Sequence, residues 1–223
     1  MNRSIADGDD DRMAGQAFSV VREHGQWKKA VQGYLASCSF ADACVGVVLN
    51  ALDQSEYAKN TVVVLWGDHG FHIGEKDPLS KLTLWQEGSQ TPLIISAPDF
   101  AATWGKQCKR PVSLVDLYPT LVELCGLPAR DGIDGRSLAE LVRDPEAPWP
   151  WPAVFSHNQN HGVRGDRYQY IRYRDGGEEL YDMNADPNQW KNLAENAAHR
   201  SVKEDMKKWV PMTNAEHSRD GAK

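Results

Sequence analysis

The sequence predicts an α/β section followed by a small antiparallel sheet with a helix, and three observations predict it. Two short runs, Thr61-Val-Val-Val-Leu-Trp66 and Thr91-Pro-Leu-Ile-Ile-Ser96, are continuously apolar and rich in β-branched residues. That is the pattern of strands buried on both faces, as in a parallel sheet. Ahead of them, Trp27 to Gln54 repeats apolar residues at helical spacing. Beyond residue 150 the texture changes to short strand-like stretches separated by turn residues. The expected organisation is a disordered or extended lead-in over 1–15, an α/β section over 16–145 and a small α+β subdomain over 146–223.

Each element has its own local reason. In the first helix Val31, Leu35, Cys38, Val45, Val48, Leu49 and Leu52 mark an apolar face, with Asp42 on or near it. Gly67 to Gln90, between the two apolar strands, is polar, contains glycine and is too long for a simple turn. Loops of that length in compact domains are often functional. Ser113 to Gly126 reads as a helix with Asp116 as N-cap, Pro119 in the first turn and Gly126 as the stop. Ser137 to Val142 is a short helix, and the proline- and tryptophan-rich residues 144–152 read as a surface linker. Strands are predicted at Ala153–Ser156, Tyr168–Arg174 and Glu178–Tyr181, the last two joined by the hairpin turn Asp175-Gly176-Gly177. A polar helix follows from about Ala197 to Trp209, with a fraying tail after it.

Composition narrows the function classes. The net charge of −6 argues against a nucleic-acid partner, which usually calls for a basic face. No run is read as reaching the ~20 apolar residues of a membrane span, so no membrane partner is expected. The polar, acidic first dozen residues do not resemble a secretory signal. Cys38, Cys44, Cys108 and Cys125 sit in or beside apolar segments without Cys-x-x-Cys spacing. They read as buried free thiols, with one disulfide as the alternative.

The chemistry concentrates in Gly67-Asp68-His69-Gly70, directly after the first apolar strand. In α/β sheets ligands bind beyond the carboxyl ends of strands. Flanking glycines let a carboxylate and an imidazole turn toward one point, where together they suit calcium, magnesium or zinc. A hydrogen-bonded strand-end pair is the plainer alternative. His69 and His72 also have His-x-x-His spacing, but no third soft ligand follows at a suitable distance.

The order that follows is Phe71-His72-Ile73-Gly74-Glu75-Lys76, then Lys81-Leu-Thr-Leu-Trp85-Gln-Glu87, then Thr91-Pro92-Leu93-Ile94. Val112-Ser-Leu-Val-Asp-Leu-Tyr-Pro-Thr-Leu121 and Glu179-Leu-Tyr-Asp-Met with Asp186-Pro187 and Asn192-Leu193 come later. Over residues 25 to 195 this series resembles the C-terminal half of sulfatases of the alkaline phosphatase superfamily, iduronate-2-sulfatase-like members above all. The resemblance implies a partial alkaline-phosphatase-like sheet with flanking helices. It implies Asp68 and His69 as ligands of a calcium ion and Lys81 as a sulfate contact, a flexible point charge suited to a tetrahedral anion. His72 matches a pocket position in some subfamilies, with a plain loop histidine as the alternative. His157, Asn158, His161 and Arg164 fall where the small domain of such enzymes faces the cleft. They could meet the organic part of a substrate, although exposed loop residues are the plainer reading.

The same resemblance exposes what these 223 residues do not encode. The family cleaves with a formylglycine made from Cys/Ser-x-Pro-x-Arg, a covalent nucleophile whose developing charge is stabilised by metal and basic groups. The nearest string, Ser96-Ala-Pro98-Asp-Phe100, lacks the Arg and follows the wrong strand. Asp9-Asp10-Asp11 follows no strand and is not the family's first-half metal pair. Family members are about twice this length and usually exported or lysosomal. The expectation is therefore the C-terminal part of a sulfatase, inactive alone and holding calcium weakly or not at all. Its partners would be a sulfated small molecule or glycan in the complete enzyme, and a missing N-terminal half or a second copy on its exposed apolar surface. A non-catalytic remnant, or a phosphodiesterase or phosphonate hydrolase of the same superfamily, is the alternative.

Overall fold

The computed structural model describes residues 18–214; the expected lead-in, the Asp9–Asp11 run and the end of the tail lie outside the described residues. Two compact units emerge. Among the described residues the first comprises 18–108 and 114–148, the second 109–113 and 149–214.

The first unit begins with α1, Trp27–Asp53, as its apolar periodicity predicts. None of its 27 residues is buried, and Asp42 is exposed. Its N-terminal part is fixed by a hydrogen bond of 2.7 Å from Trp27 Nε1 to the Ile73 carbonyl. Tyr34 stacks on Phe71 with ring centroids 5.6 Å apart. Farther along, Phe40 is 73% exposed and Val47 70% exposed. This helix corrects the expectation that no apolar run approaches a membrane span. By length and composition alone α1 could cross one, with a mean hydropathy of 1.7 over its most apolar window. Between Ala30 and Leu52 its only charged residue is Asp42. A core helix of a soluble domain passes the same test.

The strands β1, Val63–Trp66, and β2, Leu93–Ser96, form where the apolar runs predict them. They pair antiparallel with each other, Val63 opposite Ser96 and Trp66 opposite Leu93, as a two-stranded ribbon. This overturns the reading of a parallel strand buried on both faces: Leu65, Trp66 and Ile94 are exposed. An apolar run records the burial a strand is suited to, not the neighbours it has here.

The short helix α2, Gln86–Ser89, lies between the ribbon strands in sequence. Later come α3, Leu117–Leu124, and α4, Ala139–Arg143. Asp116 does not cap α3 through its side chain. It is buried instead, and its Oδ1 accepts from the Arg136 backbone N–H at 2.8 Å. Gly126 stops α3 as predicted, at φ +62°, and Leu127 N–H reaches back to the Val122 carbonyl at 2.9 Å.

The second unit is a four-stranded antiparallel meander, β3 Ala153–His157, β4 Asn160–Arg164, β5 Tyr168–Arg172 and β6 Glu178–Asp182, in sequential order. Strand β4 corrects the expectation of exposed loop residues at His161 and Arg164; Asn160-His-Gly-Val-Arg164 has little β propensity of its own. Pairing on both sides overrides that: Val163 meets Val154 on one neighbour and Tyr170 on the other. Val163, Tyr170, Leu180, Ala194 and Val210 form the core, with Val202 and Met206 around α5, Arg200–Lys207, packed on it. All four cysteines are free and exposed, which corrects the expectation of buried thiols.

Candidate functional site: the loop after β1

Strand β1 ends at Trp66, and Gly67 N–H donates to the Pro92 carbonyl at 3.1 Å, keeping the chain on the ribbon. Neither Gly67 nor Gly70 needs a left-handed backbone. They are required by close approach: a Cβ at Gly67 would lie 2.1 Å from Thr91 Oγ1, and one at Gly70 2.1 Å from the Glu87 carbonyl oxygen. The two glycines thus press the ends of this segment against α2 and its C-terminal exit, with Asp68 and His69 carried between them.

His69 Nδ1 lies 2.7 Å from the Gly70 carbonyl oxygen, so Nδ1 carries the proton and donates it there. That leaves the Nε2 lone pair free, and Lys81 Nζ donates to it at 2.9 Å. Asp68 Oδ2 stands 3.4 Å from the same Nε2, on a side chain 83% exposed. The structure therefore brings Asp68, His69 and Lys81, twelve residues farther on, to one point. An imidazole with one N–H fixed on a carbonyl and the other nitrogen aimed at a carboxylate is in the tautomer a metal ligand needs. A divalent cation there would be held by Asp68 and His69 and would supply charge stabilisation to an adjacent anion. Two protein ligands are a partial shell: among the described residues no group of three or more His, Cys, Asp or Glu gathers.

His72 is not brought to that point. It is fully buried, at 0% exposure, and its Nε2 lies 2.6 Å from Thr83 Oγ1. Burial lowers its basicity, with Glu75 opposing and Lys76 adding to the effect, so the ring is held neutral. A buried ring cannot line a pocket, and its chemistry is that of a brace behind the loop. The loop has a solid floor. Trp85 is buried, with Lys76 Nζ 4.3 Å above its ring and the His72 ring at its edge, centroids 6.0 Å apart.

His157, Asn158, His161 and Arg164 belong to the second unit, on the β3–β4 hairpin. Asn158 and Gln159 form its turn with φ of 47° and 64°. His161 is 3% exposed, its Nδ1 2.7 Å from Ser156 Oγ and its Nε2 2.8 Å from Asn214 Oδ1. Sequence reasoning missed Ser156, Asn214 and Thr83, all brought into place by tertiary contacts.

Comparison with known proteins decides the family. A family model described as sulfatase matches residues 5–127, more than half the chain, and one described as N-sulphoglucosamine sulphohydrolase, C-terminal, matches residues 74–216. This chain belongs to the sulfatase family. A sulfatase of Formosa agariphila is 43% identical over 192 residues, covering 86% of this chain and 38% of that protein. Human arylsulfatase K is 30% identical over 177 residues, covering 72% of this chain and 33% of that protein. The chain thus spans well under half the length of these relatives. Among solved structures, a 2-O GAG sulfatase superposes with a TM-score of 0.71 at 26% identity, over 82% of this chain and 42% of that one. A second structure, in complex with its substrate D-glucosamine-2-N,6-O-disulfate, gives a TM-score of 0.69 at 22% identity, a likeness that shows the fold alone. It covers 90% of this chain and 45% of that one. The sulfatase relatives carry the alkaline-phosphatase-like fold to which this mixed α/β chain conforms.

Proposed function

We propose that this sulfatase-family chain supplies the C-terminal part of a calcium-dependent sulfuric ester hydrolase of the iduronate-2-sulfatase-like kind. In this reading Asp68 and His69 hold part of the calcium shell and Lys81 contacts the sulfate. The observation that carries it is the meeting of Lys81 Nζ and the Asp68 carboxylate on the open nitrogen of His69, within the ordered motif series of the family. With a cation on that nitrogen, Lys81 would be released toward an anion beside it, adding a second positive charge where sulfate charge develops. The substrate class is a sulfated small molecule or glycan, supported by the glycosaminoglycan sulfatase among the structural relatives.

These 223 residues contain no Cys/Ser-x-Pro-x-Arg string. The chain by itself binds without forming a covalent intermediate, and the nucleophile comes from another part of the fold. The test is complementation. Joined to the N-terminal part of the Formosa agariphila sulfatase, the chain should hydrolyse an aryl sulfate in calcium. Lys81→Ala should lower kcat/KM by about a hundredfold or more, the scale of removing a charge-stabilising group. A folded, calcium-loaded chimera that does not turn over, or whose turnover is indifferent to Lys81, would overturn the assignment.

A further inference from the structure

The loop that carries Lys81 is tied on both sides of that lysine by one residue. His72 N–H donates to the Ser80 carbonyl at 2.8 Å, just before Lys81. His72 Nε2 meets Thr83 Oγ1 at 2.6 Å, just after it. The ring's other nitrogen, Nδ1, is buried as well. Thr83 is itself buried, and its backbone N–H turns back to the Lys81 carbonyl at 2.9 Å. The main chain either side of Lys81 is therefore pinned, while its side chain reaches outward to His69.

The other arm of the site is tied to the same floor. Gly70 N–H, one residue after His69, donates to the Gly88 carbonyl at 3.1 Å. Gly88 in turn lies directly under the lysine arm. A Cβ there would fall 2.4 Å from Thr83 Oγ1, 2.9 Å from the Thr83 carbonyl oxygen and 3.0 Å from the Lys81 carbonyl oxygen. Gly88 is thus the spacer between the segment that ends in His69 and the segment that presents Lys81. Any side chain at this position would push the two apart.

We propose that His72, Thr83 and Gly88 are positioning residues that together set the distance between Lys81 and His69. His72 acts through Thr83 and Ser80 and touches neither metal nor substrate. The inference deepens the sulfatase reading of Lys81, yet its geometry stands on contacts of this chain alone.

The test is nitrogen NMR of the histidine and tryptophan rings in the full 223-residue chain, kept metal-free with chelator. Lys81→Met removes the ammonium and defines how far His69 Nε2 moves when the contact is lost. Thr83→Val, which keeps the shape and loses the hydroxyl, should reproduce most of that displacement. Thr83→Ser, which restores the hydroxyl, should leave His69 at its wild-type position. The Trp27 indole N–H, which donates to the Ile73 carbonyl in the same unit, should stay fixed in every variant and so reports that the first unit is intact. If Thr83→Val unsettles the Trp27 indole, Gly88→Ala carries the same test, because it separates the arms by volume rather than by losing a hydrogen bond. A His69 resonance unmoved by Thr83→Val or Gly88→Ala in a folded chain overturns the proposal, as does one unmoved by Lys81→Met. Inorganic sulfate separates the two readings. If it leaves the wild-type His69 and Lys81 signals untouched while the variants behave as stated, the sulfate assignment falls and the positioning role stands.

Discussion

In the second unit Val163, Tyr170 and Leu180 are fully buried between the sheet and α5, whereas in the first the 27-residue α1 has no buried residue at all. The same contrast holds for the sheets. Four strands in sequential order give β4 and β5 partners on both sides, while among the described residues β1 and β2 pair only with each other and leave Leu65, Trp66 and Ile94 exposed. A two-stranded ribbon is marginal by itself, and a meander with an apolar face closed by a helix is not. The first unit is nevertheless packed where the chemistry is, because buried Trp85, His72 and Thr83 give the loop its own floor. The second unit is built to be stable and the first to present a site and an open apolar face.

The widest gap between the units lies in catalysis and in core packing. For catalysis, the isolated chain should show no aryl-sulfate turnover above background, checked by product release with and without calcium. Turnover lost on both Lys81→Ala and chelation would contradict this. For stability, Leu180→Ala removes a fully buried side chain from the second unit's core and should cost about 2–5 kcal/mol, read by urea unfolding. A loss no larger than that of a surface substitution would show that the sheet is not the stable half.

The next effect is electrostatic and belongs to the second unit. Burial raises the Glu178 pKa, but hydrogen bonds from Lys203, Lys207 and Tyr170 win and hold it down at about 2. The contacts are 2.8 Å, 2.7 Å and 2.5 Å. Because the folded value lies below the ordinary 4.5, this carboxylate's contribution is complete above pH 4.5 and is lost as pH falls from there through about 2. Glu178→Gln should cost about 2–3 kcal/mol at neutral pH and shrink the acid-induced loss below 4.5. His72 and His161 act in a separate window. Burial keeps both rings neutral, so the unfolded chain takes up protons first, and stability declines as pH drops below 6.5 in both units. Urea midpoints measured against pH should therefore fall in two stages, the second reduced in Glu178→Gln.

Calcium binding should be weaker still as a perturbation. Two protein ligands against the ~6–8 oxygens calcium prefers give an affinity of roughly millimolar at best. Calorimetric titration showing micromolar affinity in the monomer would mean that further ligands are present.

Much of this was legible in the sequence and some was not, for physical reasons. Residues Gly67 to Gly70 and Lys81 announce themselves by residue type and order, and the structure brings the Lys81 ammonium and the Asp68 carboxylate within 3.4 Å of His69 Nε2. Local signals also found α1, the stop at Gly126 and strands β3, β5 and β6. Strand direction was not legible, because a Val-rich run has the same composition whether its neighbour is parallel or antiparallel. The burial of His72 was equally hidden: a histidine in a polar loop shows its chemistry but not the Thr83 hydroxyl eleven residues away that fixes its ring. Strand β4 was concealed by Gly162, which is needed because the Phe155 ring lies where a Cβ would stand.

The smallest effect on stability should come from the face that most separates the two units. Phe40 and Val47 on α1 are largely exposed and far along the helix from the Trp27 and Tyr34 contacts that fix its start. Replacing both with serine removes no packing, and exposed substitutions of this kind usually change stability by less than about 0.5 kcal/mol each. Association is a different matter. An exposed apolar stripe on a helix of this length favours contact with another apolar surface, and the isolated chain should self-associate through it. Sedimentation at increasing concentration should show the wild-type chain growing in mass and Phe40→Ser with Val47→Ser remaining monomeric, at an unchanged unfolding midpoint. If the wild-type chain stays monomeric at high concentration, the open face is not adhesive and the contrast between the units is one of packing alone. If the double variant loses stability instead, α1 is covered within the chain by contacts beyond those at its N-terminal end, and the first unit is more closed than its exposed residues indicate.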